Sequence, residues 1–203
     1  EAGDLALVGN LAGSLAYQLS NTGHEDDGLS LAQAALEEAW PDAPAKARAL
    51  YLDRVAWAHT KAGNTQPAMR ALAEAHEAMT AEDTQESPVW AYWVSPEELD
   101  VMDARVYTEL RKPLRAVPLL QEVLSRYDST HTRELALYLS WLAVALVDAN
   151  EPEEAAKTAR RMLDLSADSA SDRTARRNRI VLTKLEPHRD IPEVRDLLST
   201  HAA

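Results

Sequence analysis

Four short sets of side chains in this 203-residue chain carry the residue types that recognise a ligand. Tyr17 and Asn21 make the first set, Asp53, Trp57 and Lys61 the second, Arg105 and Glu109 the third, and Ser140, Val144 and Asp148 the fourth. Within each set the members stand four residues apart, the spacing of one helical face. A wall that mixes Tyr and Trp with Asn, Lys and Arg can stack an apolar group and orient a polar one. Asn21 could bond a peptide backbone bidentately, and Arg105 or Lys61 could hold a carboxylate. The plainer alternative is a row of solvated helix residues with no ligand. A second aromatic group, Trp90, Tyr92 and Trp93, reads either as a lid over such a wall or as packing at an irregular junction.

Other chemistries find no support in the residues. There is no phosphate-cradling Gly loop, no Gly-x-Ser-x-Gly elbow and no His-Glu-x-x-His. Carboxylates are plentiful, but paired acid–base work needs a cleft that perturbs one of them, and no pattern marks one. The chain is therefore expected not to be an enzyme. Zero cysteines exclude thiolate chemistry and Cys-ligated metal. The six histidines, His24, His59, His76, His131, His188 and His201, offer no pair with ligand spacing on one face, so neither a metal nor a cofactor is expected. The net charge of −12 repels phosphate, which makes the chain a poor binder of nucleic acid. One basic run, Arg173, Arg176, Arg177, Arg179 and Lys184, stands against that field. Arg177 cannot share one helix face with Arg173, Arg176 and Lys184, so a single DNA-reading stripe is not implied. The run reads as a solvated terminal helix paired with acidic neighbours, or as a docking face for a partner domain.

The elements that must position these residues are helices. Hydrophobic residues make up 46% of the chain, with no Phe and only six Gly, and alternating strand-type runs are missing. No apolar run approaches the roughly 18 residues of a membrane span. The start, Glu1-Ala2-Gly3-Asp4, has no basic leader and no initiator Met, and reads as the edge of an excised fragment. The absence of cysteine fits a reducing cytoplasm.

A repeat organises the helices. A small residue is followed twelve positions later by another small residue four times: Ala16 and Gly28, Ala56 and Ala68, Ala104 and Ala116, Ala143 and Ala155. Between the members lie Gly23, Gly63, Arg111 and Asn150 at matched turn positions, where Gly and Asn tolerate the left-handed conformation that ends a helix. Anchors recur at intervals of 40, 48 and 39 residues. Each unit thus reads as an antiparallel helix pair, and the small residues let its helices approach closely. The pairs are placed at about 5–40, 45–80, 96–127, 133–165 and 172–201, within one continuous domain spanning 1–203. Helix stops are expected at Trp40-Pro41-Asp42-Ala43-Pro44 and at Asp168-Ser169, and a capped start at Ser95-Pro96-Glu97-Glu98.

The unit Leu142-Ala143…Leu146…Asn150…Ala155…Ala159…Leu163 resembles a tetratricopeptide (TPR) repeat, as does Leu15-Ala16…Gly23…Gly28…Ala32. The resemblance implies an all-α, right-handed TPR-like superhelical solenoid of about five antiparallel helix pairs. It also implies that the first helix of each pair lines a concave groove, at the positions occupied by the four sets above. The Lys and Asn clamp by which chaperone-binding repeats hold an acidic C-terminus is missing: the slots hold Gly13 and Tyr17, Asp53 and Trp57, Val101 and Arg105, Ser140 and Val144. Further stretches, Trp93-Val94-Ser95-Pro96-Glu97-Glu98-Leu99, Pro113-Leu114-Arg115-Ala116-Val117-Pro118-Leu119-Leu120 and Leu142-Ala143-Val144-Ala145, with the tail Leu185-Glu186-Pro187-His188…Val194-Arg195-Asp196-Leu197, are similar to the C-terminal region of actinobacterial helix-turn-helix regulators. That similarity implies a sensory or dimerising half of a transcriptional regulator. It would bind a peptide, a small-molecule effector or a protein partner, and reach DNA only through a separate domain. The alternative is a free-standing scaffold that docks a protein partner.

Overall fold

A computed structural model describes residues 4–40, 43–81, 85–126, 132–167 and 172–201. Residues 1–3, Pro41 and Asp42, 82–84, His131, and the stop expected at Asp168-Ser169 lie outside the described residues. Among those described there are ten α-helices and no strand: α1 (Leu5–Ser20), α2 (Glu25–Ala39), α3 (Ala45–Lys61), α4 (Thr65–Thr80), α5 (Pro96–Glu109), α6 (Pro113–Arg126), α7 (Thr132–Asp148), α8 (Pro152–Ser166), α9 (Asp172–Leu185) and α10 (Pro192–His201). The chain divides into two compact units, Glu1–Leu110 and Arg111–Ala203.

The helix ends follow from residue chemistry. Gly23, Gly63, Arg111 and Asn150 have φ of 87°, 77°, 52° and 63°, so all four matched turn positions are left-handed. At three of them the next residue's N–H reaches back to a helix carbonyl: His24 to Leu19 at 3.1 Å, Asn64 to His59 at 2.8 Å and Glu151 to Leu146 at 2.9 Å. These bonds satisfy carbonyls that a helix end leaves without partners and fix the reversal of direction. Arg111 adopts the same conformation without the freedom of Gly, so its turn is specified by register more than by residue type. At the start of α5 the Ser95 hydroxyl accepts the Glu98 N–H at 3.3 Å, with Pro96 in the first turn, as the sequence predicts.

In the first unit α3 is the central helix, touched by α1, α2, α4 and α5. It is buried almost all round, including Ala47, Leu50, Tyr51, Leu52, Val55, Ala56 and Trp57. Each fully buried Leu contributes about 1.5–3 kcal/mol relative to exposure. In the second unit α7 has the same place among α6, α8 and α9, over a core that includes Leu120, Met162, Val181, Leu185, Val194 and Leu197.

The eight small residues of the repeat are all buried. At Gly28 the reason is explicit: a Cβ there would overlap the Ser20 hydroxyl and stand 2.9 Å from the Ala16 carbonyl oxygen. Gly28→Ala should therefore push α2 off α1 and cost about 1–2 kcal/mol, the overpacking penalty less the helix propensity regained. A lowered urea midpoint with unchanged slope is the expected reading, and an unchanged midpoint would mean the pair simply relaxes apart.

Candidate functional site

Three helices of the first unit bring six of the expected residues together. Trp57 on α3 and Tyr17 on α1 place their rings 5.7 Å apart, tilted by 31°. The Arg105 guanidinium of α5 lies over both, 4.7 Å from the Trp57 ring centre and 5.6 Å from that of Tyr17. One of its Nη atoms donates to the Tyr17 hydroxyl at 2.6 Å. Lys61 stands 5.8 Å from the Trp57 ring centre and donates to Glu109 Oε2 at 3.3 Å. Asp53, one helical turn before Trp57, lies 3.5 Å from Arg54 Nη1. Cation–aromatic contacts of this kind strengthen as water is excluded, and here it is: Trp57 and Asp53 are each 3% exposed and Arg105 is 7% exposed.

Burial is uneven across the set: Asp53, Trp57 and Arg105 are enclosed, while Tyr17 and Lys61 are half-buried and Glu109 is exposed. Because α3 is enclosed on nearly every side, a polar residue on it is placed inside the unit and must find partners there. Arg54 was missing from the expected set, yet its guanidinium sits 5.0 Å from the Tyr17 ring centre. The cluster so completed holds three cations, Arg54, Lys61 and Arg105, against two carboxylates, Asp53 and Glu109.

Burial, only partly offset by Arg54 and Arg105, pushes the Asp53 carboxyl above its ordinary range. The cluster continues through Asp103 of α5, whose Oδ2 lies 3.2 Å from His76 Nε2 on α4. Burial drives the Asp103 carboxyl up to about 6; His76 pulls it down, while Asp53 and Asp100 add to the rise. A carboxyl raised in the folded state binds its proton more tightly there than in the unfolded chain. Its stabilising contribution is therefore full below about pH 4 and lost as pH rises through about 6. Against Asp103→Asn, the wild-type chain should lose about 2 kcal/mol of unfolding free energy between those limits. Denaturant titrations at pH 4, 5, 6 and 7 read the difference directly, and parallel pH profiles would refute it.

The remaining expected residues are placed differently. Asn21 follows α1 and donates its side-chain amide to the Tyr17 carbonyl at 2.7 Å, serving its own helix end. Ser140, Val144 and Asp148 lie on α7 of the second unit, where Ser140 is buried and Val144 half-buried. Arg177 Nε donates to Ser140 Oγ at 3.0 Å, and Lys184 pairs with Asp148 Oδ1 at 2.7 Å. Arg177 also stacks on Trp141, 3.7 Å from the ring centre, a contact that the sequence reading did not anticipate. Trp90 and Trp93 pack against the cluster of Leu50, Ala91 and Val94, and Trp90 also touches that of Ala43, Ala47 and Tyr51. Tyr92, 80% exposed, is the ring of that segment that faces solvent.

Among the described residues no group of three or more His, Asp or Glu could hold a metal ion, and no helix is long and apolar enough to cross a membrane.

No protein-family profile and no curated protein matches the chain. Solved structures do. A kinesin light chain-like protein of Podosopora anserina, built from nearly identical TPR-like repeats, matches with a TM-score of 0.61 at 14% identity, covering 98% of each chain. A point variant of that protein matches with a TM-score of 0.66 at 15% identity, covering 98% of this chain and 95% of the other. The fold is accordingly an all-α, TPR-like helical-repeat fold.

Proposed function

We propose that the chain is an interaction module whose first unit binds a carboxylate-bearing peptide or small-molecule effector at the Tyr17–Trp57–Arg105 cluster. The observation that supports this most is the guanidinium stack itself. Two aromatic rings and Arg105 converge from three helices, with Lys61 and Arg54 beside them. A ligand carboxylate would compete with Glu109 for Lys61 and draw on Arg105 through paired N–H donors. Because those residues belong to α1, α3 and α5, such a ligand would bias how the three helices pack, and thereby any domain attached to them.

The finer reading is the sensory and dimerising half of a bacterial transcriptional regulator, with DNA contacted by another domain. It rests on the residues similar to actinobacterial regulators. The second reading, a free-standing cytoplasmic scaffold that docks a protein partner, rests on the fold. The intact mass of the native gene product separates them. Extra sequence ahead of Glu1 supports the regulator, and a mass equal to that of these 203 residues supports the scaffold.

Binding is tested by titrating a panel of short peptides with free C-terminal carboxylates while following tryptophan fluorescence. Trp57→Ala would confound the result by opening a cavity, so the informative variants are Lys61→Met and Arg105→Lys. Each should weaken a bound peptide by about tenfold, since Lys cannot reproduce the planar fork. Equal affinity in wild type and both variants would sink the assignment.

A further inference from the structure

The basic run on α9 is divided by the fold, and the division leaves a surface with no role so far. Of its five cations, Arg177 and Lys184 turn toward α7, where they meet Ser140, Trp141 and Asp148. Arg173, Arg176 and Arg179 are exposed. At three-residue spacing they run along one side of the helix, with Ile180, Thr183 and Pro187 continuing the same face at helical intervals. An open recess of about 580 Å³ lies there, lined by Arg176, Arg179, Ile180, Thr183, Lys184 and Pro187. Ile180 is 39% exposed, a large apolar side chain ringed by cations. Asp172, at the helix start, is the sole acidic residue of α9.

We propose that this face docks an acidic amphipathic helix of a protein partner. Successive arginines rise about 4.5 Å along the α9 axis, which matches carboxylates three or four residues apart on a facing helix. Their planar forks take such carboxylates bidentately. An apolar side chain of the partner helix, set between the carboxylates, fits over Ile180 and Pro187 and gives the contact a non-electrostatic centre. A nucleic acid has the sign of charge but not the apolar group that would cover Ile180.

The test uses the full chain and a fluorescein-labelled helical peptide of Glu, Asp and Leu, with carboxylates at three- and four-residue spacing around the leucines. Fluorescence anisotropy should report saturable binding that weakens as salt is raised. Arg176→Glu with Arg179→Glu should lower the affinity by about tenfold or more, and Ile180→Ser by about threefold. All three positions are exposed, so circular dichroism should be unchanged. The same charge change on exposed residues elsewhere, Arg115→Glu with Arg160→Glu, should alter affinity by less than about twofold. Lys61→Met, which acts on the first-unit cluster, should leave the peptide's affinity as it was, so this proposal and the effector reading fail separately. The proposal is overturned by absent binding, by equal losses in the two charge-reversed pairs, or by a peptide with Ser for Leu binding as well. A loss on Lys61→Met, or tighter binding of a single-stranded oligonucleotide of equal charge, overturns it too.

Discussion

Arg105→Met should lower the unfolding free energy by about 3–5 kcal/mol, the cost of leaving a buried charge without its partner. The size follows from what the guanidinium does at once. It donates to the Tyr17 hydroxyl, lies over the Trp57 and Tyr17 rings, and is one of two cations that hold down a carboxyl buried at Asp53. Met fills a similar volume, so the loss reports charge and hydrogen bonding more than a cavity. Without Arg105 the Asp53 carboxyl is left to Arg54 alone, and its proton affinity should rise further. Removing that charge as well should restore part of the loss: Arg105→Met with Asp53→Asn should be less destabilised than the sum of the single changes by at least about 1 kcal/mol. Urea unfolding of the four proteins closes the cycle. A single-variant loss under about 1 kcal/mol would mean that water reaches Asp53 and supplies what the guanidinium does not.

That experiment concerns the part of the molecule that residue spacing described least well. The turns were legible because they are local. Gly23, Gly63 and Asn150 are residue types that accept a positive φ, and each lies seven residues after a small residue that must be buried. Arg111 was legible only by register, since nothing in its side chain asks for φ of 52°. All-helical composition, capped starts and the twelve-residue pairing of small residues were enough to reach the fold class. The cluster was legible as a set of residues but not as an environment. Arg105 and Tyr17 are 88 residues apart, and their bond exists only because α1 and α5 both meet α3. Whether a polar residue on α3 sees water depends on how many helices surround α3, which no single helical face records. The same limit applies to α9. The separation of Arg177 expected from spacing is corrected there: Arg173 and Arg177 stand four residues apart and Arg177 and Lys184 seven, spacings of one helical side, and what takes Arg177 to the Trp141 ring is tertiary packing.

Trp141→Ala should be the most damaging single change in the second unit, at about 4–7 kcal/mol. Removing a buried Trp side chain costs about 3–5 kcal/mol through lost transfer energy and the cavity left behind. The Arg177 guanidinium, 3.7 Å from the ring centre, loses its stacking face as well, worth about 1–2 kcal/mol when desolvated. Its bonds to the Ser140 hydroxyl and carbonyl, at 3.0 and 3.3 Å, remain, but the side chain then borders a void and becomes accessible to water. Repeat folds distribute stability over neighbouring elements rather than over the whole array. The loss should therefore appear as faster amide hydrogen exchange in α7, α8 and α9, with α3 and α4 retaining the protection of the wild-type chain. Trp141→Phe keeps most of the volume and an aromatic face, and should recover more than half of the stability. If α3 and α4 lost protection to the same extent as α7, the 203 residues would unfold as one cooperative body, and the local account of this tryptophan would be wrong.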